Sequence, residues 1–176
     1  MLKQQKGFTL IELMVVIALM GMLSGVLISM GDLIRDFRVT YIQKRVYYSL
    51  ILAKSEAIKR NTTVSVCRSP SGSSCSSGNN WNDGWIVFTD KNDNRQKDGV
   101  DNLVRVYNNI PNGFKIAWAG NSRGISFDAK GRPNHDGRVD FKVCMTTRSS
   151  SPIRLIAAYG RKQGSRLKML NGNGSC

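Results

Sequence analysis

Seven lysines and arginines stand between Phe141 and Cys176, at Lys142, Arg148, Arg154, Arg161, Lys162, Arg166 and Lys168, with no Asp or Glu among them. Cations of one sign gathered in one segment are chemistry for a polyanion: guanidinium and ammonium groups bind phosphate oxygens, which ask for donors and charge more than for shape. Gly160 and Gly164 flank Arg161 and Lys162, and glycine amides in a turn offer donors to the same oxygens. Tyr159 adds a ring that can lie against a sugar or base. Composition alone gives equal weight to a plainer role, in which these cations solubilise the surface or meet acidic protein neighbours.

Catalysis finds little support. His135 is the single histidine, which removes most nucleophile–histidine pairs and most histidine-based metal sites. No carboxylate pair stands at a recognisable catalytic spacing and no Gly-rich phosphate loop precedes a helix, so no enzyme and no cofactor is expected. Asp90, Asn92, Asn94, Asp98 and Asp101 fall at positions 1, 3, 5, 9 and 12 of a calcium loop, but position 6 is Arg95 where the sharp turn wants glycine. The last ligand is also an Asp in place of a bidentate Glu, so Asp90 to Asp101 reads as a polar turn between strands, with no metal.

These residues need elements to hold them. At 176 residues the chain has the size of one domain with at most a small appendage. Its net charge of +14 suits a polyanionic partner, and an apolar fraction of 41% excludes disorder by composition. The single long apolar run, Phe8 to Met30, contains one charge, Glu12. It is long enough to span a bilayer as a helix and too long for a cleaved secretory signal. Lys3 and Lys6 before it favour a cytoplasmic amino terminus and an exported body, although Arg35 and Arg38 work against that orientation. Glu12 is the odd residue, because a carboxylate near the membrane centre costs about 2.5 to 3.5 kcal/mol and needs a partner or a route to the headgroups. Gly21 and Gly25 form a lone G-x-x-x-G, a weak signal for close helix approach.

Beyond the apolar run, Leu33, Ile34, Phe37, Tyr41, Val46, Leu50, Ala53, Ala57 and Ile58 approximate a helical stripe. No proline interrupts Phe8 to Arg60, and a continuous helix of that length would reach about 80 Å. After Asn61 the texture turns to short β-rich runs between Gly, Asn, Asp and Ser. The expected strands are Thr63 to Arg68, Trp85 to Thr89, Leu103 to Tyr107, Phe114 to Trp118, Gly124 to Phe127, Arg138 to Cys144, Ile153 to Ala158 and Arg166 to Leu170. That leaves no room for helices among them and implies an antiparallel sheet or sandwich. If the last two strands pair, Arg161 and Lys162 sit at the tip of a hairpin, with Arg166 and Lys168 on one face. Cys67, Cys75, Cys144 and Cys176 all fall in the exported part, where an even number points to disulfides. Three pairings are open; the preferred one closes the serine-rich loop with Cys67–Cys75 and ties the tail with Cys144–Cys176. The absence of C-x-x-C spacing argues against zinc.

The string Lys6-Gly7-Phe8-Thr9-Leu10-Ile11-Glu12-Leu13 closely resembles the prepilin processing and assembly motif of type IV pilins and type II secretion pseudopilins. The resemblance implies cleavage between Gly7 and Phe8 by a prepilin peptidase, N-methylation of Phe8, and pairing of Glu12 with the amino terminus of a neighbouring subunit. Gly84-Trp85-Ile86-Val87-Phe88 with Asp90 and Asn92, Ile125-Ser126-Phe127 with Gly131-Arg132, Phe141-Lys142-Val143-Cys144 and Gly160-Arg161 resemble, in that order, the GspH/FimT branch of these proteins. This second resemblance implies an α+β pilin fold: a leader at 1–7, a transmembrane and filament-core helix at 8–30, an amphipathic helix at 31–61, and a β-rich head of two antiparallel sheets at 62–176. The implied location is the inner membrane, single-pass with a periplasmic head, and then a pilus or pseudopilus.

FimT-like minor pilins are DNA receptors that use a basic Gly-Arg-x-Arg motif. Gly160-Arg161-Lys162-Gln163 matches its first two positions and has Gln163 at the fourth, so the carry-over rests on Arg161, with Lys162 or Arg166 supplying the missing charge. The expected function is non-specific binding of double-stranded DNA during natural transformation, through Arg161, Lys162, Arg166, Lys168, Arg154 and Arg148. The alternative is a structural minor pilin or an H-type pseudopilin at a filament tip, with other pilin subunits as its partners.

Overall fold

The structure is a computed structural model that describes residues 7–108, 110–120, 123–146 and 153–172, with the side chains of 25–30 and 32 outside the description. The leader residues 1–6 lie outside it, as do Arg148 and Cys176. The chain divides into two compact units, Met1–Phe37 and Arg38–Cys176.

The first unit holds the opening turns of helix α1 (Leu10–Arg60). Thr9 caps the helix: its Oγ1 accepts the Glu12 amide at 3.4 Å and its carbonyl accepts the Leu13 amide at 3.2 Å. Thr9-x-x-Glu12 therefore places a carboxylate in the first turn, where the free amides favour negative charge. Phe8, Leu10, Ile11 and Ile17 are exposed, an apolar surface of the kind another apolar phase covers. Among the described residues no helix is long and apolar enough to cross a membrane. The sequence run from Phe8 continues through 25–30, whose side chains are not described.

In the second unit α1 buries Val39, Ile42, Val46, Leu50, Ala53 and Ala57, spaced by three and four so that they form one stripe. Leu33, Ile34, Phe37, Tyr41 and Ile58, expected on that stripe, are exposed. Tyr41 lies one residue, or about 100° of rotation, away from Ile42, which takes the inward place. The helix stops at Asn61, whose φ of 50° lies in the left-handed region. The Thr62 amide bonds Ala57 O at 3.2 Å and the Asn61 amide bonds Ile58 O at 3.3 Å, which satisfies the last carbonyls as a Schellman ending does.

Eight strands complete the chain: β1 (Val64–Arg68), β2 (Trp85–Thr89), β3 (Leu103–Tyr107), β4 (Phe114–Trp118), β5 (Gly124–Phe127), β6 (Arg138–Met145), β7 (Ile153–Tyr159) and β8 (Leu167–Gly172). They form two antiparallel four-stranded sheets, ordered β3-β2-β1-β5 and β4-β6-β7-β8. The helix stripe and the inner faces of both sheets share one core. Trp85 donates its Nε1 proton to Ser49 Oγ at 2.9 Å, satisfying the indole against the helix. Two expectations are corrected. The last strand begins at Leu167 instead of Arg166, and the connection before it contains a short 3-10 turn, Arg161–Gln163.

The outer face of the first sheet carries a smaller cluster of Cys67, Ile86 and Phe88, onto which Cys75 and Val106 pack. A disulfide joins Cys67 to Cys75 across a separation of 8 residues and holds the serine-rich loop over that face. Cys144 is buried at the end of β6, and no described cysteine is free; its expected partner Cys176 lies outside the described residues. Replacing Cys67 and Cys75 together with serine should cost about 2.5 kcal/mol, the loop-closure entropy for so short a ring. Urea unfolding of the oxidised native chain and the double variant measures this, and equal midpoints would show that the loop is held by packing alone.

Candidate nucleic-acid interface

The basic hairpin is built from the sheet outwards. β7 pairs with β8 from Ile153↔Gly172 to Ala158↔Leu167, and the Tyr159 amide bonds Arg166 O at 2.8 Å to close the ladder. The turn from Gly160 to Ser165 folds back on itself: Gln163 and Ser165 both donate amides to Gly160 O, at 3.0 and 3.1 Å. Gly164 and Ser165 have positive φ, 84° and 47°.

That turn is docked on the segment between β5 and β6. Gly160 N bonds Gly137 O and Arg161 N bonds His135 O, both at 2.9 Å, while a His135 ring nitrogen lies 3.1 Å from Ala158 O. A Cβ on residue 160 would stand 2.2 Å from His135 O, so the contact requires a glycine. His135, the single histidine, is thus a half-buried packing residue. The Arg161 guanidinium donates to Asn134 Oδ1, and its Nε reaches Pro133 O at 3.5 Å. Asn134 donates in turn to Asp93, which also accepts the Ser126 hydroxyl at 2.8 Å. A polar chain therefore runs from the hairpin tip to β5.

The other cations differ in how they are held. Lys162 Nζ is 3.4 Å from Asp136, with both side chains mostly exposed. Tyr159 lies between two guanidiniums, Arg166 at 4.8 Å and Arg138 at 5.7 Å from its ring centroid, an arrangement favoured by the ring quadrupole. A hydrogen bond from Arg138 to Asp140 at 2.8 Å stabilises the charged guanidinium and raises its pKa. Arg154 donates to Asn171 Oδ1 at 2.9 Å. Arg166 and Lys168 are exposed and form no ion pair with a carboxylate among the described residues. In the turn after β5, burial pushes the Asp128 carboxyl up, but hydrogen bonds from the Arg132 amide, its guanidinium and the Lys130 amide outweigh it and hold the pKa below the ordinary value.

The aspartate-rich loop is occupied by its own donors. Asp90 is buried and accepts the Asn94 and Arg95 amides at 3.1 and 2.9 Å, and Asp101 accepts those of Lys91 and Asp98 at 3.3 and 3.0 Å. Side-chain hydrogen bonds from Asn92 and Asn94 lower the pKa of Asp98. Arg95 takes a φ of 57°, the conformation for which glycine would have been the easy choice. Among the described residues no three His, Cys, Asp or Glu side chains are grouped to hold a metal.

Residues 44–158 match the family described as Type II transport protein GspH, and residues 2–28 match the prokaryotic N-terminal methylation motif. The chain belongs to the GspH family. Two solved structures share the fold of this GspH-family chain. The type IV minor pilin FimU of Pseudomonas aeruginosa is 12% identical with a TM-score of 0.59, over 77% of this chain and 93% of that one. The minor pseudopilin EpsH from the type 2 secretion system of Vibrio cholerae is 11% identical with a TM-score of 0.50, over 76% and 97%. No curated relative matches. The GspH-family chain therefore has the pilin fold, with a helix followed by two antiparallel sheets.

Sequence reasoning leaves two features of the site unnoticed. Asn134 and Asp136, which hold Arg161 and Lys162, carry no local signal, because the contact joins segments more than twenty residues apart. Arg138 on the far side of Tyr159 is found only once β6 and β7 are paired, with Arg138 opposite Tyr159.

Proposed function

We propose that this GspH-family subunit is a minor type IV pilin that binds double-stranded DNA without sequence preference at its β7–β8 hairpin, for DNA uptake in natural transformation. The observation that carries the reading is a pair of exposed cations, Arg166 and Lys168, without carboxylate partners among the described residues, on a hairpin whose turn is fixed against the 133–137 segment. Arg161 retains donors beyond those given to Asn134 and Pro133, since a guanidinium has five. The exposed Lys162–Asp136 pair is worth at most about 1 kcal/mol, little enough for a phosphate to displace it. Arg154 and Arg148 extend the basic segment.

On this reading residues 1–7 are a leader removed by prepilin peptidase between Gly7 and Phe8. Residues 8–30 anchor the subunit in the inner membrane and later pack in the filament, with Glu12 paired to a neighbouring amino terminus, which offsets the cost of a carboxylate out of water. Residues 31–61 form the amphipathic part of the helix, and 62–176 the head that is exposed first to the periplasm and then at the cell surface.

The test is fluorescence anisotropy of the full chain in detergent with a random-sequence duplex over a range of salt. Arg166→Ala and Lys168→Ala should each lower the log-log salt slope by about one unit. If both leave the slope unchanged, the hairpin is not the contact surface and the subunit is structural, a minor pilin or H-type pseudopilin at a filament tip. The engagement of Arg161 and Lys162 with Asn134 and Asp136 favours that second reading, because those cations already have protein partners.

A further inference from the structure

Two of the four sheet edges are covered. The outer edge of β5 is closed by Asn134 N to Ser126 O at 2.9 Å and a bridge between Phe127 and Pro133. That of β4 is closed by Trp81 N to Ile116 O and Trp118 N to Asn79 O, both 2.9 Å, with Asn82 Oδ1 accepting Ile116 N at 2.7 Å. At β8 the α1 side chains reach carbonyls of the β7–β8 ladder and its turn, not the outer edge: Gln43 donates to Leu155 O of β7 at 2.9 Å and to Leu170 O at 3.3 Å, and Lys54 reaches Ser165 O at 3.4 Å. β3 is uncovered. It ends its sheet, and among the described residues its backbone bonds only to β2. The strand is Leu-Val-Arg-Val-Tyr, without proline; its register against β2 shifts between Val87 and Phe88, and its outer amides and carbonyls are a template for a further strand.

Beside that edge runs a groove of about 340 Å³ between β3 and α1, lined by Tyr41, Lys44, Arg45, Tyr48, Arg105 and Tyr107. It contains three tyrosine rings, three cations and no carboxylate. Two of the guanidiniums are already positioned: Arg105 lies 5.5 Å over the Tyr107 ring, and Arg45 donates to Asn108 O at 2.5 Å. Tyr107 itself stacks on Trp85 with ring centroids 5.2 Å apart. Tyr41 and Tyr48, at i and i+7 on the helix, are both more than half exposed. Pre-positioned rings and guanidiniums lose little entropy on binding.

The geometry points to this groove as the docking site of an extended acidic peptide segment from another protein, added as a strand along β3 with its carboxylates on Lys44 and Arg105. A strand added there would send alternate side chains to the face that carries Arg105 and Tyr107. The charge chooses an acidic partner, and a second copy of this chain, at +14, is a poor one. The edge chooses a peptide over a nucleic acid: an open strand offers both amides and carbonyls, whereas a phosphodiester backbone has acceptors alone and would leave the carbonyls unpaired. The inference does not depend on DNA binding at the hairpin.

The experiment uses the full chain in detergent and a fluorescein-labelled peptide of alternating Glu and Val, about six residues long, followed by anisotropy. Saturable binding is expected, weakened about tenfold or more by combined Lys44→Glu and Arg105→Glu, and unaffected by alanine at Arg161, Lys162 and Arg166. Two further peptides, N-methylated on one or the other alternate set of amides, are tested on the unaltered chain. One of the two should lose binding, because one set faces β3. Absence of saturable binding, equal binding by all three peptides, or displacement of the acidic peptide by a single-stranded oligonucleotide at comparable concentration would overturn the proposal.

Discussion

Phe141→Ala is expected to destabilise the head by about 3–5 kcal/mol, the range for truncating a fully buried phenylalanine. Phe141 sits in β6 with no exposed surface, opposite Trp118 of β4 and Ile156 of β7. Its ring meets Trp81 edge-on with centroids 4.8 Å apart and lies 4.4 Å from Trp118; Trp81 in turn stands 6.4 Å from Trp85 of β2. These four aromatics connect the two sheets, so the cavity left by alanine opens at the junction, where the surrounding walls are bulky rings that collapse poorly. Urea unfolding followed by tryptophan fluorescence measures the loss, and the signal comes from the junction itself because all three tryptophans belong to this cluster. A loss below about 1 kcal/mol would mean that the site relaxes freely and that the sheets are not held together there. The consequence for function is indirect: β6 is the strand against which β7 is laid, so a loosened β6 also releases the hairpin.

The eight strands are legible in the sequence because each is a short β-branched or aromatic run closed by Gly, Asn, Asp or Ser, and the helix end because Asn61-Thr62-Thr63 comes directly after the last periodic residues. Strand order is not legible. β1 sits between β2 and β5, and β6 between β4 and β7, and such pairings are decided by inner-face packing of residues far apart in sequence. The buried helix stripe is slightly rotated from the one that periodicity alone suggests: it passes through Val39 and Ile42, and the displaced Tyr41 belongs to the groove beside β3. At the basic tip the residue types are legible and their states are not. Arg161 and Arg166 look alike in sequence, yet one is bound to Asn134 and the other stacks on Tyr159, a difference set by the 133–137 segment and by the pairing of β6 with β7.

Gly160→Ala should have the largest effect on the hairpin itself. Gly160 has φ −70° and ψ −174°, values an alanine adopts without strain, so the backbone conformation gives no reason for glycine here. The reason is contact: a Cβ would lie 2.2 Å from His135 O and 2.7 Å from Asp136 C. Both are backbone atoms that cannot swing aside as a side chain can, so the turn must lift, breaking Gly160 N to Gly137 O and Arg161 N to His135 O. Overpacking of this kind costs about 1–3 kcal/mol. Gly164→Ala is the matched control. Its φ of 84° makes alanine strained by about 1 kcal/mol, but no atom lies within 4 Å of the new Cβ, so the turn stays docked. If DNA binds at a docked tip, Gly160→Ala weakens duplex affinity by about tenfold, equivalent to ~1.4 kcal/mol, while Gly164→Ala leaves it nearly unchanged. Hydrogen exchange at residues 160 and 161 reports whether the turn has lifted. A lifted turn with undiminished affinity would assign phosphate binding to Arg166 and Lys168 on the strand pair and remove Arg161 from the contact.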